Sequence, residues 1–340
     1  MPYKGDHYIS PLQGAKPYPM HIVLASDNNY APFVAVTLVS VLRTSPALPC
    51  LHVHLLANGI ADDTLRRIVD IPDAERLDLH VYDISDLRQR LKVNVPDTIA
   101  MSAYARLFIA DILPTDIDRV LYLDCDVVAA DDLTALWQTD MKGAWVAGVL
   151  DALYGDEPKT AVGMAPTAPY FNSGILLINL AAWRKQGMTK RFLDFLLAHG
   201  GTVYHHDQGI INGVCTGHTM TLHPRYNMTS SLFSHPGKFV RRLITPYYTD
   251  KQLAEGRTAP ALVHFTEGFY NRPWKHHCNH PKKQLFFDNL RLTPWHDMPL
   301  QPDTRPTVVR LLSWEFVYLP LWVYNLTQWG IGVINKIMRR

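Results

Sequence analysis

The sequence lacks the features of several large protein classes. Its 33 basic and 31 acidic side chains leave a net charge of only +2, so it has no overall positive field that could wrap nucleic acid. Charged residues make up 19% and apolar residues 47% of the chain. That composition is typical of a folded globular protein and excludes disordered, collagen-like and coiled-coil chains. We expect a folded protein without a nucleic-acid partner.

Cysteine is scarce, and the cysteines are widely separated. The four of them, Cys50, Cys125, Cys215 and Cys278, form no CxxC pair, which argues against a cysteine-based structural zinc site or a thioredoxin-type redox centre. Free thiols are typical of a reducing compartment. The first twenty residues also lack the apolar stretch of a secretory signal. These observations predict a cytoplasmic location.

Glycine is absent between Gly14 and Gly59. The first strand-to-helix turn therefore contains neither GxGxxG nor GxxxxGK[ST], the glycine-rich loops that hold dinucleotides or nucleoside triphosphates. Both classes of nucleotide site are excluded at that turn.

Short apolar runs alternate with helical patterns along the first half of the chain. The run His21–Ser26 is followed by a helical pattern over Phe33–Leu42, and the apolar segments LHVHLLAN and LDLHVYDI come next. Such alternation is typical of α/β proteins with a mostly parallel sheet. Further patterns predict a helix over Ala103–Ile112, a strand over Arg119–Val128, a strand ending at Asp151 and a loop over Gly155–Ala168.

Acidic residues stand where the predicted strands end. Ligands of open α/β sheets bind outside the carboxyl ends of the strands. We therefore expect four carboxylates to converge on one site, namely those of Asp27, Asp124, Asp126 and Asp151.

The pair Asp124 and Asp126 is the strongest candidate for metal binding. Two carboxylates held this close repel each other, and a divalent cation that prefers oxygen ligands relieves the repulsion. Such a cation can bridge a diphosphate, although a helix cap or turn is the alternative. The spacing alone is unspecific, since Asp116 and Asp118 show it too in a sequence typical of a solvated turn.

The segment from Ala261 to Lys275 offers further polar groups. His264 follows an apolar run and could be a third metal ligand or a structural histidine. Gly268, Arg272 and Lys275 suit phosphate oxygens, or form a solvated basic loop. The nearby His276, His277 and His280 are expected at the surface because a proline and two lysines follow them.

The C-terminal part has a different character. A Pro-rich link follows residue 292, and Phe316–Ile334 carries no charge. The polar residues there recur every three or four positions, which predicts an amphipathic helix lying in a membrane interface, with a buried helix or a membrane span as alternatives. The polar face would carry Asn325, Gln328, Gly332, Asn335 and Arg339. The opposite, apolar face would carry Leu326, Trp329, Val333 and Ile337. The basic residues Lys336, Arg339 and Arg340 would face anionic lipid. The predicted division is an N-terminal extension (1–20), a catalytic domain (21–292) and a tail (293–340).

Six segments between His21 and Trp274, taken in order, resemble glycosyltransferase family 8, particularly its bacterial lipopolysaccharide galactosyl- and glucosyltransferases. They are HIVLASDNNY, SAYARLFIADILP, VLYLDCDVV, PYFNSGILLINLAAWR, HHDQGIINGV and VHFTEGFYNRPW. The resemblance implies a GT-A-type nucleotide-sugar-binding fold with Mn²⁺ or Mg²⁺ as cofactor and a UDP-sugar as co-substrate.

The resemblance also implies roles for individual residues. Metal ligands would be Asp124, Asp126 and His264. Ala25, Asp27 and Asn29 would bind the uridine of the donor. Asn172 and Ser173 would line the donor sugar. The sugar and the phosphates would be contacted by Arg106, Cys125, Gly268 and Arg272, together with Asp124 and Asp126 of the family's DxD motif. An N-cap is the alternative for Asp27, and an exposed helix ion pair is the alternative for Arg106. The catalytic pair would be Asp207, orienting a sugar hydroxyl, and Gln208, whose carbonyl faces the β side of the sugar.

Two positions depart from the family pattern. Gly209 stands where many relatives have an acidic residue, and Glu267 is inserted before Gly268 in the closing motif. The predicted function is retaining, metal-dependent transfer of galactose or glucose from a UDP-sugar to lipopolysaccharide core or a lipid-linked glycan, at the inner face of the cell membrane. A UDP-sugar-binding protein without turnover and a nucleotidyltransferase are the alternatives.

Overall fold

The structure is a computed structural model that describes residues 19–87, 89, 101–152, 155–234, 247–267, 270–320, 322–324, 326–327 and 330. The strands are β1 Met20–Asp27, β2 Leu51–Asn58, β3 Leu77–Asp83, β4 Arg119–Leu123, β5 Val127–Ala129, β6 Val146–Leu150, β7 Phe171–Asn179, β8 Thr219–Thr221, β9 Met228–Thr229 and β10 Leu262–His264. The α-helices are α1 Ala31–Thr44, α2 Asp62–Ile68, α3 Met101–Ala105, α4 Ile109–Ile112, α5 Thr134–Trp137, α6 Glu157–Thr160, α7 Leu180–Lys185, α8 Met188–Ala198, α9 His206–Cys215, α10 Ser230–Ser234, α11 Asp250–Thr258, α12 Lys283–Leu290 and α13 Thr307–Tyr318. Three 3-10 turns cover Ala74–Arg76, Arg106–Phe108 and Pro224–Tyr226.

The main sheet is mostly parallel, as the sequence predicts. Its strand order is β3-β2-β1-β4-β7-β6-β8, and only β7 runs opposite to its neighbours β4 and β6. Eight of the nine residues of β7 are buried, because helices cover both faces of the sheet. Side chains alternate between two cores: Ile22 and Leu24 lie in one, Val23 in the other.

The prediction of one strand over Arg119–Val128 is wrong. Strand β4 ends at Leu123, and β5 leaves for a second sheet with the order β5-β10-β9. Helix α1 holds the turn between them, since the Thr37 hydroxyl donates to the carbonyl of Val127 at 2.8 Å. Asp124, Cys125 and Asp126 therefore lie where the chain changes sheets.

The helix predictions have mixed outcomes. The pattern over Phe33–Leu42 is confirmed by α1, but Ala103–Ile112 is not one helix. A 3-10 turn over Arg106–Phe108 separates α3 from α4, and the Arg106 guanidinium leaves this turn towards β4 and β7. A tightened turn inside a helical segment is often found at functional positions.

Two predictions outside regular structure also need correction. The expected loop over Gly155–Ala168 contains helix α6, and the Lys159 ammonium caps a turn there by donating to the carbonyl of Pro166 at 2.7 Å. His276 and His277 are exposed as expected, whereas His280 is buried because its ring packs edge-on against three aromatic rings. Those rings are Phe233, Phe265 and Tyr270.

Within the C-terminal tail, helix α13 covers Thr307–Tyr318 and ends before Pro320. Among the described residues, no helix is both long and apolar enough to cross a membrane. Much of the predicted amphipathic pattern, including Lys336, Arg339 and Arg340, lies outside the described residues, as do residues 1–18 of the N-terminal extension. The proposed division into 1–20, 21–292 and 293–340 remains a prediction.

Candidate active site

One edge of the main sheet gathers the predicted site residues. The carboxyl ends of β1, β4 and β6 meet there, and the amino end of β7 joins them because that strand runs the other way. The turn after β4 is tied to its neighbours. The Asp124 N–H donates to the Gly174 carbonyl at 2.7 Å, and the Cys125 thiol donates to the Ala25 carbonyl at 3.3 Å.

Asp124, Asp126 and His264 form a cluster suited to a metal ion. The His264 Nε2 lies 3.1 Å from the Asp126 Oδ1 and 3.8 Å from the Asp124 Oδ2. One ligand atom from each residue lies within 4.8 Å of the other two. Two carboxylates and one imidazole suit a divalent cation such as Mn²⁺.

The backbone leaves room at this cluster. A Cβ on Gly174 would lie 2.2 Å from the His264 Cε1 and 2.6 Å from the Asp124 Oδ2. Only glycine lets β7 approach the two ligands this closely. The three ligand side chains and the absence of a Cβ at Gly174 both fit a bound divalent ion.

A chain of hydrogen bonds determines which nitrogen of His264 is free. The Asn172 Oδ1 accepts from the Gly174 N–H at 3.1 Å and from the Asn227 Nδ2 at 2.9 Å. The Asn227 Oδ1 therefore faces the His264 Nδ1, at 3.1 Å. Since an amide oxygen only accepts, Nδ1 carries a proton. The Nε2 atom faces Asp126, and it is the nitrogen that would bind a metal ion after losing its proton, as in metal-binding histidines.

The charges of the cluster depend on one another. Burial alone would raise the pKa of the Asp126 carboxyl, but His264 and Arg272 beside it hold that pKa below its usual value. Burial alone would lower the pKa of His264, and the two carboxylates raise it instead. A divalent cation would take over this charge compensation from the imidazole.

Arg106 connects this cluster to the Asp207 carboxylate. Its Nη2 lies 2.7 Å from the Asp124 Oδ1 and its Nε lies 3.1 Å from the Asp207 Oδ2. Its Nη1 donates to the Ser173 carbonyl at 2.6 Å. The side chain is 5% exposed, so Arg106 forms no exposed helix ion pair. Contact with a donor sugar remains a prediction.

Gln208 has a fixed orientation beside Asp207. Its Oε1 accepts from the Ser173 N–H at 3.0 Å, and its Nε2 donates to the Asp151 Oδ2 at 2.8 Å. Because a backbone N–H can only donate and a carboxylate can only accept, the amide cannot be flipped. The carbonyl oxygen therefore faces β7, and Asp151 belongs to the site as the end of β6 predicts.

Asp207 itself is held by two donors. The Ser173 hydroxyl donates to its Oδ2 at 3.0 Å, and Arg106 pairs with the same oxygen. Burial raises the pKa of this carboxyl, and Arg106 opposes the rise. Just before it, His205 and His206 both have positive φ, 57° and 53°, a strained arrangement for non-glycine residues of the kind that often occurs at functional sites.

Arg272 contacts the cluster at Asp126, whereas Arg106 contacts it at Asp124. Its Nη2 lies 3.1 Å from the Asp126 Oδ2, and its Nη1 donates to the Tyr30 hydroxyl at 2.8 Å. The inserted Glu267 pairs with the Lys275 ammonium at 3.2 Å. Gly268 lies outside the described residues. The insertion therefore leaves Arg272 beside the predicted metal ligands.

Asp27 is not the N-cap of α1, because Tyr30 occupies that position. Its Oδ1 accepts from the backbone N–H groups of Asn29 at 2.9 Å and Tyr30 at 3.0 Å, which organises the turn before α1. Asn29 is exposed and Ala25 is mostly buried. Their roles toward a uridine remain predictions.

Sequence reasoning missed two residues that shape the cluster, Gly174 and Asn227. Gly174 was visible as the last residue of the FNSG segment, next to Asn172 and Ser173. Asn227 lies in a stretch where strand and helix signals fade, and its role depends on the pairing of β9 with β10. Only the fold brings it to His264.

Gly174→Ala should weaken Mn²⁺ binding by at least about tenfold, because its methyl group would displace His264 and Asp124. Gly148→Ala on the adjacent strand is the control, since its Cβ would meet only the Leu176 and Phe171 side chains, at 3.1 Å and beyond. Calorimetric titration of Mn²⁺ into both variants measures the difference. Equal Mn²⁺ affinity in the two variants would contradict the placement of Gly174 against the metal ligands.

A carboxylate at position 209 should not be tolerated. A Cβ there would lie 1.9 Å from the carbonyl oxygen of Tyr204. Gly209→Ala and Gly209→Asp should therefore each lower the free energy of unfolding by about 1–3 kcal/mol, measured by denaturant unfolding. A Gly209→Asp variant that is as stable as the wild type and forms a covalent glycosyl adduct, seen by mass spectrometry, would contradict this.

Comparison with known proteins agrees with the fold. The family model "Glycosyl transferase family 8" matches residues 21–278. General stress protein A of Bacillus subtilis is 29% identical, with 82% of this chain and 95% of that protein covered. Lipopolysaccharide 1,2-glucosyltransferase of Escherichia coli K12 is 26% identical, with 82% and 79% covered.

A solved structure shows the same architecture. The crystal structure of the galactosyltransferase LgtC in complex with donor and acceptor sugar analogues has a TM-score of 0.68 and 26% identity, covering 86% of this chain and 99% of that one. The predicted GT-A-type fold and the predicted transferase class are confirmed. The chain belongs to glycosyltransferase family 8.

Proposed function

We propose that the protein transfers a hexose, galactose or glucose, from a UDP-sugar to a saccharide acceptor with retention of the anomeric configuration. The observation that carries the proposal is the link through Arg106. This one buried guanidinium contacts Asp124 of the metal-binding cluster and Asp207 beside Gln208. A diphosphate at the cluster would thus lie next to the pair predicted to surround the anomeric carbon.

Asp124, Asp126 and His264 would hold Mn²⁺ or Mg²⁺. When bound, the cation supplies positive charge that neutralises the diphosphate and stabilises UDP as the leaving group. Arg272, whose Nη2 lies 3.1 Å from the Asp126 Oδ2, would add a second positive charge beside the cation. A guanidinium can pair with two phosphate oxygens at once.

The residues around the anomeric carbon would supply orientation and electrostatic support. Asp207 would accept a hydrogen bond from a sugar hydroxyl, and the Gln208 carbonyl dipole would stabilise positive charge on an oxocarbenium-like transition state. The amide already has a fixed orientation between Ser173 and Asp151. Such preorganisation reduces the reorganisation needed during the reaction.

Position 209 supports attack from the same face of the sugar. No carboxylate can stand there to form a glycosyl-enzyme, because Gly209 packs against the Tyr204 carbonyl. The acceptor hydroxyl would attack the anomeric carbon as the bond to the phosphate oxygen breaks. Its proton would pass to the departing phosphate oxygen, so that both charge and atoms balance.

The names of the relatives support a hexose donor and a glycan acceptor. One similar protein is a lipopolysaccharide 1,2-glucosyltransferase and one similar structure is a galactosyltransferase. Lipopolysaccharide core or a lipid-linked glycan is therefore the acceptor class that we propose.

The C-terminal part would hold the enzyme at the anionic inner leaflet of the cell membrane, where we propose that it works as a peripheral protein. Large apolar side chains are exposed at spacings of three and four residues, namely Val308, Leu311, Trp314, Tyr318, Trp322 and Leu326. Beside them lies a groove of about 440 Å³ whose lining includes the exposed Arg310. Apolar and aromatic groups flanked by basic ones match the chemistry of a headgroup region.

Asp126→Asn should lower metal-dependent UDP release by at least about 100-fold, because it removes a direct metal ligand. The assay incubates the chain without acceptor with a panel of nucleotide-sugars, with Mn²⁺ or with chelator, and measures free nucleotide. Asp118→Asn is the matched control. It belongs to the other Asp-x-Asp pair, which is exposed, and should leave UDP release unchanged.

The outcomes separate the competing functions. UDP release from one hexose donor, abolished by chelator, would support the proposal. Release of pyrophosphate would indicate a nucleotidyltransferase. Tight UDP-sugar binding that Asp126→Asn weakens, with no turnover on any glycan acceptor, would indicate a binding protein without turnover.

Replacement of Leu311 and Trp314 by glutamate should reduce binding to vesicles that contain phosphatidylglycerol by about tenfold or more, because two inserted apolar groups are lost. Vesicle flotation measures the bound fraction. Leu197→Glu, also at an exposed apolar position, is the control and should bind as the wild type does. Equal binding of all variants would contradict membrane association through this part of the chain.

A further inference from the structure

A cluster of histidines lies on the main sheet, away from the active site. His21 is on β1, His52 and His54 are on β2, and Asp78 and His80 are on β3. The parallel register places His21 beside His52, His52 beside Asp78, and His54 beside His80. All five therefore point to one face of the sheet.

The cluster is separate from the candidate active site. His21 is the second residue of β1, whereas Asp27 is the last residue of the same strand. Six residues of extended chain span about 20 Å. The amino ends of the strands carry this cluster, and the carboxyl ends carry the candidate active site.

Three of these side chains have the geometry of a ligand set. The Asp78 Oδ2 lies 2.7 Å from the His52 Nδ1 and 3.0 Å from the His80 Nε2. One potential ligand atom from each residue lies within 4.8 Å of the others. The side chains of His52, Asp78 and His80 are 25%, 45% and 48% exposed, so an ion in solution can reach them.

The remaining rings hold these ligands in place. The His21 ring stacks on His52 with centroids 4.7 Å apart, and the His54 ring stacks on His80 at 5.4 Å. His54 is itself buried. Its ring nitrogens contact the His21 Nδ1 at 3.0 Å and the Tyr82 hydroxyl at 3.1 Å. Ligands that are already oriented lose less conformational entropy when an ion binds.

We propose that His52, Asp78 and His80 form a second metal site, selective for Zn²⁺ and similar transition-metal ions. Two imidazoles and one carboxylate are ligands that Zn²⁺ prefers, whereas Mg²⁺ and Mn²⁺ favour oxygen. Water would complete a tetrahedral coordination shell at the exposed side. The candidate active site, with two carboxylates and one imidazole, has the opposite balance of ligands.

The site would join the edge strand of the sheet to its neighbour. Strand β3 is last in the strand order and is only partly buried. A Zn²⁺ ion bound by His52 on β2 and by Asp78 and His80 on β3 connects the two strands. An ion that binds the folded state alone raises the unfolding temperature, so Zn²⁺ should stabilise the protein independently of its transferase activity.

The test uses the full chain carrying Asp126→Asn and His264→Asn, which removes two ligands of the other cluster. Calorimetric titration should find one Zn²⁺ per chain, and thermal unfolding should shift upward by a few degrees with Zn²⁺ and not with Mn²⁺. Adding Asp78→Asn or His80→Asn should weaken Zn²⁺ binding by at least about tenfold. Adding His276→Asn and His277→Asn, at exposed histidines outside the cluster, is the matched control and should change nothing.

The wild-type chain provides a second measurement that does not depend on the stability of the double variant. Its Zn²⁺ stoichiometry should fall by one on His80→Asn, with circular dichroism confirming the fold. The Co²⁺-loaded site should show visible absorption without sulfur charge-transfer bands. Zn²⁺ binding that is unchanged by both Asp78→Asn and His80→Asn would overturn the proposal, and so would no binding at about 100 µM Zn²⁺.

Discussion

The buried guanidinium of Arg106 is the interaction on which the candidate active site depends. It lies between two carboxylates from different parts of the chain, Asp124 after β4 and Asp207 at the start of α9. Burial alone would lower its pKa, and the two carboxylates more than offset that effect. Leaving a buried charge without its partner costs about 3–5 kcal/mol. The loss of either carboxylate would therefore disturb the position of the other.

The fold changes sheets at the Asp124–Asp126 turn, and this change completes the candidate metal-binding cluster. If β4 continued in the main sheet, alternation would send Asp124 and Asp126 to the same face as Tyr122. Instead β5 pairs with β10 in the second sheet, and the Phe265 N–H donates to the Asp126 carbonyl at 2.9 Å. His264 thereby reaches the carboxylates from a segment more than a hundred residues away in sequence. The candidate metal-binding cluster lies at the junction of the two sheets.

Residue type and strand position were enough to predict part of this site. Asp124, Asp126 and Asp151 stand at strand ends, and the mostly parallel sheet brings such ends together. The roles of Gly174 and Asn227 could not be predicted, because one depends on a missing methyl group and the other on the orientation of two side-chain amides, those of Asn172 and Asn227. The break at Arg106 was also hidden, since SAYARLFIADI has a continuous helical pattern. The histidines of LHVHLLAN and LDLHVYDI were visible, but only the unstaggered register of β2 and β3 brings them together.

Close packing explains why position 209 is a glycine in this chain and not an acidic residue. It also removes one candidate for a carboxylate nucleophile. Helix α9 begins at His206, the second of two consecutive residues with positive φ, and this sharp entry brings the Tyr204 carbonyl against Gly209. A side chain there would push the helix away from β7, where Gln208 contacts Ser173 and Asn212 contacts Phe171. The same close packing that orients Gln208 therefore excludes a carboxylate next to it. Under the proposed mechanism, the Gln208 carbonyl dipole would lie beside the anomeric carbon, and the substrates would supply both the nucleophile and the base.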